Sequence, residues 1–312
     1  MCFDGALSLQ DVPEPMPAED EALVAVRYAG ICATDLEVLR GYRAHHGILG
    51  HEMVGTVVEC PAARQWEGKR VAAEITVACG ACPTCRRGQT GHCERRSVMG
   101  ILGREGCFAE RVAVPVRNLH AIPDAVDDRA AAFTEPLAAA YEISAQVDVT
   151  GQRVAVLGDG KLGLLVAMAL HERDAEVTLL GRHAHKLAIA AGAGIATSMA
   201  SEVRARSFAI VVEATGSPAG LGDALALTRP RGTLVLKSTF KDTPTLDTNR
   251  IVVDEITVLG SRCGPFPTAL DAMARGAVDP RRLVEATYPL CDAVEAVEHA
   301  GRRGTLKILI EA

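Results

Sequence analysis

From residue 151 onward the chain alternates in a way that few folds accept. Unbroken apolar runs stand at RVAVLG (153–158), EVTLLG (176–181), FAIVVEAT (208–215), GTLVLKS (232–238) and EITVLGS (255–261). Between them lie helix-forming segments: KLGLLVAMALHERD (161–174), HKLAIAAGAG and GLGDALALTR. A strand that is apolar at every position, rather than at every second one, must be covered on both faces. Strands that alternate with helices then predict a parallel sheet wrapped by helices, an α/β doubly wound domain.

The first of those strands runs directly into VLGDGKLGLL. Gly158, Gly160 and Gly163 form G-x-G-x-x-G between a strand and a helix, the context in which the pattern carries meaning. The first glycine makes the tight turn, the second admits a pyrophosphate to the backbone, and the third lets helix and strand approach. The free N–H groups of the helix start, at Lys161 and Leu162, favour an anion. An NAD site usually has an acid about 20 residues later, bonded to the ribose 2′-OH. Here Gly181, Arg182 and His183 stand there. Arg182 can pair with a 2′-phosphate, so the sequence leans to NADP, with NAD as the alternative.

The remainder is organised differently. ALVAVRYAGI (22–31), MVGTVVEC (53–60), KRVAAEIT (69–76) and CFAERVAVP (107–115) are short β-branched runs broken by Gly, Pro and charge. DDRAAAFTEPLAAAYEISAQV (127–147) reads as helical, with a break or restart at Pro136. After 262, TALDAMARGAV and DAVEAVEHAGRR read as amphipathic helices and LKILIE (306–311) as a closing strand.

CGACPTCRRGQTGHC places Cys79, Cys82, Cys85 and Cys93 close together. Four thiolates at this spacing suit tetrahedral zinc and leave no open position for a substrate, which makes the site structural. An iron–sulfur cluster and a nucleic-acid ribbon are the alternatives. A net charge of −6 supplies no basic face for a phosphate backbone. No apolar run approaches the roughly 18 residues that span a bilayer, and MCFDGALSLQ does not read as a secretory signal. The expected location is therefore the cytoplasm, where the ten cysteines stay reduced and metal binding explains a cluster better than disulfides do.

A second, dispersed set lies in GICATDLE (Cys32, Thr34, Asp35), ILGHEMVG (His51, Glu52) and AAFTEPLAAA (Glu135). One thiolate, one imidazole and one carboxylate make a catalytic zinc set with a fourth place open. His51 and Glu52 are adjacent, so both can face one ion only if the chain turns there. His45 and His46 read as a solvated loop.

With Gly50-His51-Glu52, the four-cysteine lobe, Glu135-Pro136-Leu137 and the three glycines in this order, the chain resembles the zinc-dependent medium-chain alcohol/polyol dehydrogenases over essentially its whole length. The resemblance implies a GroES-like β-barrel catalytic domain, split in sequence, with a Rossmann domain inserted. The expected boundaries are 1–148, containing the zinc lobe 79–93, then 149–262, then 263–312. It implies two zinc ions. One is structural. The other is catalytic, held by Cys32, His51 and either Glu52 or Glu135, with Asp35 hydrogen-bonded to His51 and Thr34 taking the substrate proton. It also implies alcohol and carbonyl substrates, no nucleic-acid or membrane partner, and a homodimer or homotetramer. A cofactor-binding redox sensor without turnover is the rival function.

Overall fold

The computed structural model describes residues 1–41, 45–239 and 243–312. The chain divides into two compact units: residues 1–135 with 270–312, and residues 136–269. Leaving aside short two-residue strands, the main sheet of the first unit starts, in chain order, with β1 (Glu21–Gly30), β2 (Glu52–Glu59), β3 (Arg70–Ala73), β4 (Arg111–Pro115) and β5 (Leu119–Ala121). The second unit holds β6 (Arg153–Leu157), β7 (Glu176–Gly181), β8 (Ala196–Met199), β9 (Phe208–Glu213), β10 (Thr228–Leu236) and β11 (Thr257–Gly260). The chain then returns to the first unit with β12 (Val284–Pro289) and β13 (Lys307–Glu311).

In the first unit the sheet order is β5-β3-β2-β1-β13-β12, with β4 also on β1. β1 is the hub. One edge pairs antiparallel with β2; the other is shared between β4 at its start and β13 at its end. Gly30 lies opposite Glu52 and Leu309 lies opposite Gly30, so the C-terminal strand is fixed beside the end of β2. The buried side chains of β1 and β13, among them Val24, Val26, Ile308 and Ile310, anchor this register. A one-residue slip would turn them all to the other face.

The second unit is a six-stranded parallel sheet, ordered β8-β7-β6-β9-β10-β11. The order runs outward from β6 to β8, then restarts on the other side of β6 with β9. Such a reversal opens a crevice at the carboxyl ends of β6 and β9, the usual ligand position in this architecture. Helix α1 (Ala33–Leu39) belongs to the first unit; α2 spans Thr134–Gln146, and α3 (Lys161–Glu172), α4 (Ala184–Ala191) and α5 (Pro218–Leu227) cover the parallel sheet. Residues 163–170 of α3 are all buried. Each large apolar side chain among them contributes about 1.5–3 kcal/mol.

Three elements differ from the sequence expectation. β8, sequence ATSM, is an additional strand; it is polar, partly exposed and at the sheet edge, so it exists through its pairing with β7. β12, sequence VEATYP, is likewise held by β13. β10 begins at Thr228, where the sequence suggested continuing helix: α5 stops at Leu227, two residues before Arg229-Pro230, and Thr228 already pairs with Phe208. Pro136 lies in the first turn of α2, after a separate short helix Asp128–Ala131, and there its missing N–H costs nothing. Among the described residues no helix is long and apolar enough to cross a membrane.

Candidate metal and dinucleotide sites

Cys32 is the residue before α1, in extended conformation, and Asp35 is the third residue of that helix. The Asp35 side chain turns back to the helix start: Oδ2 accepts the Cys32 N–H at 2.8 Å. Its other oxygen, Oδ1, lies 3.0 Å from Nδ1 of His51. Asp35 is fully buried and His51 nearly so, at 0% and 2% side-chain exposure. One carboxylate therefore fixes both the position of Cys32 and the ring of His51. With Nδ1 committed to Asp35, Nε2 is the ring atom left to serve as a ligand.

The chain enters this segment through a turn at Gly50, at φ +95°. A side chain there would be strained, and its Cβ would lie 2.4 Å from the Phe108 ring. His51 precedes β2 and Glu52 is its first residue. Ligand atoms of Cys32, His51 and Glu52 lie within 4.8 Å of one another. Glu135, half-buried as the second residue of α2, is not part of this group. The Cys32 thiol donates to the Thr34 hydroxyl at 3.7 Å, which places Thr34 at the rim of the cluster.

Lys307, on β13, completes the surroundings. Its Nζ is paired with Oε2 of Glu52, lies 3.4 Å from the Ile31 carbonyl and sits over the Phe133 ring. Glu52 and Lys307 are each 1% exposed. The second carboxylate oxygen, Oε1, is buried and has no hydrogen-bond partner among the described residues. A buried carboxylate oxygen without a donor is costly unless a cation satisfies it.

Electrostatics point the same way. Burial opposes a charge on His51, yet the Asp35 carboxylate, its hydrogen bond and Cys32 outweigh it and hold the imidazole well above its usual 6.5. Asp35, Glu52 and Cys32 face a single ammonium, Lys307, a deficit of positive charge that either the proton on His51 or a bound dication would meet. A soft-and-hard donor set of S, N and O with that deficit fits a zinc dication and leaves one position open. Cys107, also fully buried nearby, is different: burial pushes its thiol up and keeps it protonated. His45, expected in a solvated loop, is buried, with Nε2 3.1 Å from the Ile48 carbonyl. His46 is exposed and pairs with Asp4. Residues 42–44 of that loop lie outside the described residues.

The second cluster joins Cys79, Cys82, Cys85 and Cys93, again within 4.8 Å. Cys82 begins a one-turn helix, Pro83–Arg86, and its sulfur accepts the Cys85 N–H. The Cys93 sulfur accepts the Cys79 N–H at 3.3 Å, and Arg95 reaches the Cys79 sulfur at 3.4 Å. Backbone N–H groups of Ala81 and Cys82, aided by Arg95, lower the Cys79 thiol to about 6. Burial and the neighbouring sulfurs push Cys85 the other way, up to about 12, so the thiolate character centres on Cys79, and with four sulfurs converging the site has no position for a substrate. His92 is exposed and outside the group. Replacing Cys93 by serine is expected to release one equivalent of zinc. It should also lower the thermal midpoint by about 4 °C, the size of a 1–2 kcal/mol loss in a large domain. Metal analysis with thermal unfolding checks this, and an unchanged zinc content would contradict it.

In the second unit, Gly158 turns at φ +122° against β9; a Cβ there would lie 2.5 Å from the Ala214 carbonyl. At Gly163 a Cβ would lie 1.9 Å from the Gly158 carbonyl, so α3 can approach β6 only without a side chain. Gly160, which caps α3, has open space beside it, and Lys161 and Leu162 form the first turn. The helix starts after β6, beside which the strand order reverses, the place where this architecture commonly holds a pyrophosphate. Arg182 is exposed just beyond β7. Two residues were given no role from the sequence: Lys307, a lysine within an apolar strand, and Asp159, an acid inside the glycine turn.

Comparison with known proteins agrees with this geometry. Residues 18–124 match the family model described as the alcohol dehydrogenase GroES-like domain, and residues 162–275 that of the zinc-binding dehydrogenases. L-galactonate-5-dehydrogenase of Escherichia coli K12 is 30% identical over 305 residues, covering 91% of this chain and 89% of that one. D-arabitol-phosphate dehydrogenase of Enterococcus avium is 29% identical, covering 97% and 93%. A crystal structure from Sinorhizobium meliloti 1021, described as a zinc-binding dehydrogenase bound to NADP, superposes with a TM-score of 0.91 at 30% identity, covering 99% and 96%.

Proposed function

The chain belongs to the family of zinc-binding alcohol dehydrogenases with a GroES-like domain, and from that premise we propose that it interconverts a secondary hydroxyl of a polyol or sugar-like substrate and the corresponding ketone. It is an oxidoreductase, and the fold is α/β, with a GroES-like domain and a parallel six-stranded nucleotide-binding sheet. The observation that carries the reading is the convergence of Cys32, His51 and Glu52, with the Glu52 Oε1 atom buried and unpartnered.

When bound, zinc supplies Lewis-acid polarisation of the substrate oxygen, and the nicotinamide dinucleotide supplies the hydride acceptor. We assign Cys32, His51 and Glu52 as zinc ligands, and Glu135 as the alternate carboxylate. Asp35 holds the His51 ring and its tautomer. Lys307 neutralises one oxygen of Glu52 and aims the other at the cluster. Thr34, beside Cys32, takes the proton released from the substrate hydroxyl and passes it outward. Gly158, Gly160, Lys161, Leu162 and Gly163 hold the pyrophosphate, and Arg182 stands at the adenosine end. Cys79, Cys82, Cys85 and Cys93 hold the structural ion. In sequence terms, 1–148 and 263–312 form the catalytic domain and 149–262 the cofactor domain, and the molecule assembles as a homodimer or homotetramer.

Support for the polyol class comes from the relatives, named for galactonate, arabitol phosphate and sorbitol. The test is a screen of polyols, sugar acids and simple secondary alcohols with metal-replete protein and either dinucleotide. Turnover should favour the polyhydroxylated substrates, stop on chelation and return with zinc. Turnover that survives complete removal of metal would end this reading.

A further inference from the structure

The glycine turn contains an acid. Asp159 lies between Gly158 and Gly160, and its carboxylate reaches across to the end of β7. Oδ2 accepts the N–H of Arg182 at 2.7 Å and that of His183 at 2.8 Å. Both carboxylate oxygens lie 3.0 Å from Nδ1 of His183. Gly181, the last residue of β7, packs directly against it: a Cβ at 181 would lie 2.4 Å from Oδ2. The space that a side chain at the end of the second strand would enter is therefore filled by a carboxylate borne on the glycine turn. Burial alone would raise the acid, but the N–H groups of Arg182 and His183 and the His183 ring outweigh it and hold the carboxyl below its usual range. Asp159 is an anion at neutral pH.

In dinucleotide-binding sheets the acid at the end of the second strand receives the adenosine ribose 2′-OH. We propose that in this chain Asp159 takes that role from the glycine turn, and that the site consequently selects NAD over NADP. The inference rests on the nicotinamide-dinucleotide reading given above. Two physical reasons support it. Apart from the Arg182 guanidinium, the donors closest to the end of β7 are the N–H groups of Arg182 and His183 and the His183 imidazole, and all three already serve the carboxylate. A phosphate dianion brought beside that carboxylate is repelled, whereas a hydroxyl can donate to it; among the described residues Oδ1 faces His183 Nδ1, and a carboxylate oxygen has capacity for a second donor. Arg182 is the one feature that favours NADP, but its side chain is exposed, where an ion pair is screened and worth little. A largely buried carboxylate fixed in place by these N–H groups and the imidazole outweighs it.

Equilibrium binding by calorimetry tests the idea without turnover. The unaltered protein should bind NAD at least about tenfold more tightly than NADP, a difference of about 1.4 kcal/mol. Asp159→Asn keeps the shape and removes the charge; it should narrow that ratio by about tenfold, mainly by weakening NAD. The double variant Asp159→Ala with Gly181→Asp returns the acid to the strand end and should restore the preference. NADP binding as tight as NAD in the unaltered protein, or a ratio unmoved by Asp159→Asn, overturns the role of Asp159 while leaving the dinucleotide site intact. Failure to bind either dinucleotide overturns the nucleotide reading itself and this inference with it.

Discussion

Replacing His51 by alanine is expected to lower kcat/KM by about 10³-fold or more, the size of several kcal/mol of lost charge stabilisation. In the proposed zinc site the imidazole is the central donor of the cluster. It is 2% exposed and anchored through Nδ1 to Asp35, and its partners Cys32 and Glu52 come from separate segments. On that assignment alanine removes one ligand, and it also leaves Oδ1 of the buried Asp35 without its partner. Two remaining donors hold a dication poorly, so the variant should also lose the zinc equivalent that the four-cysteine lobe does not account for. Thermal unfolding, read beside activity and metal content, separates this loss from collapse of the fold. A folded His51→Ala protein that keeps its full metal content and turns over within tenfold of the original would remove His51 from the chemistry.

The second large effect is on stability. Lys307→Met preserves length and apolar contact but leaves Glu52 as a buried, unpaired carboxylate. Removing one partner of such a pair costs about 3–5 kcal/mol. In the metal-stripped protein, urea unfolding should show that loss, and adding Glu52→Gln should recover most of it by neutralising the stranded charge. The pH dependence has a definite sign. Burial disfavours the charged lysine, but Glu52, followed by Cys32, more than compensates and raises it above 10.5. A group raised in the folded state contributes fully below its unfolded value and fades only as pH rises through the folded one. The deficit in Lys307→Met should therefore be flat from neutral pH to about pH 9. A loss under about 1 kcal/mol would mean that water or another cation reaches Glu52.

The difference between these two residues shows what a sequence exposes. His51 was legible because it sits in Gly50-His51-Glu52, a local pattern. Lys307 was not, because its partner Glu52 is 255 residues away in sequence. Only the antiparallel pairing of β1 with both β2 and β13 brings the two together. The open choice between Glu52 and Glu135 had the same origin. Adjacent residues on a strand face opposite ways, and Glu52 joins His51 because the strand begins only at Glu52, with His51 before it. Asp159 is a further case: its carboxylate has meaning only beside Gly181, on the neighbouring strand.

By itself the sequence determined the parallel sheet, the glycine turn and the four-cysteine lobe. Apolar period, helix starts and ligand spacing are properties of near neighbours, and a chain displays them wherever it folds. Tertiary structure alone decided which carboxylate meets Cys32 and His51, which cation balances it, and which acid faces the end of β7. It also created β8 and β12, whose polar sequences become strands only when a partner offers its hydrogen-bonding edge. Those outcomes depend on the register between distant strands, and register is set by burial summed over a whole sheet, which no short stretch of chain contains.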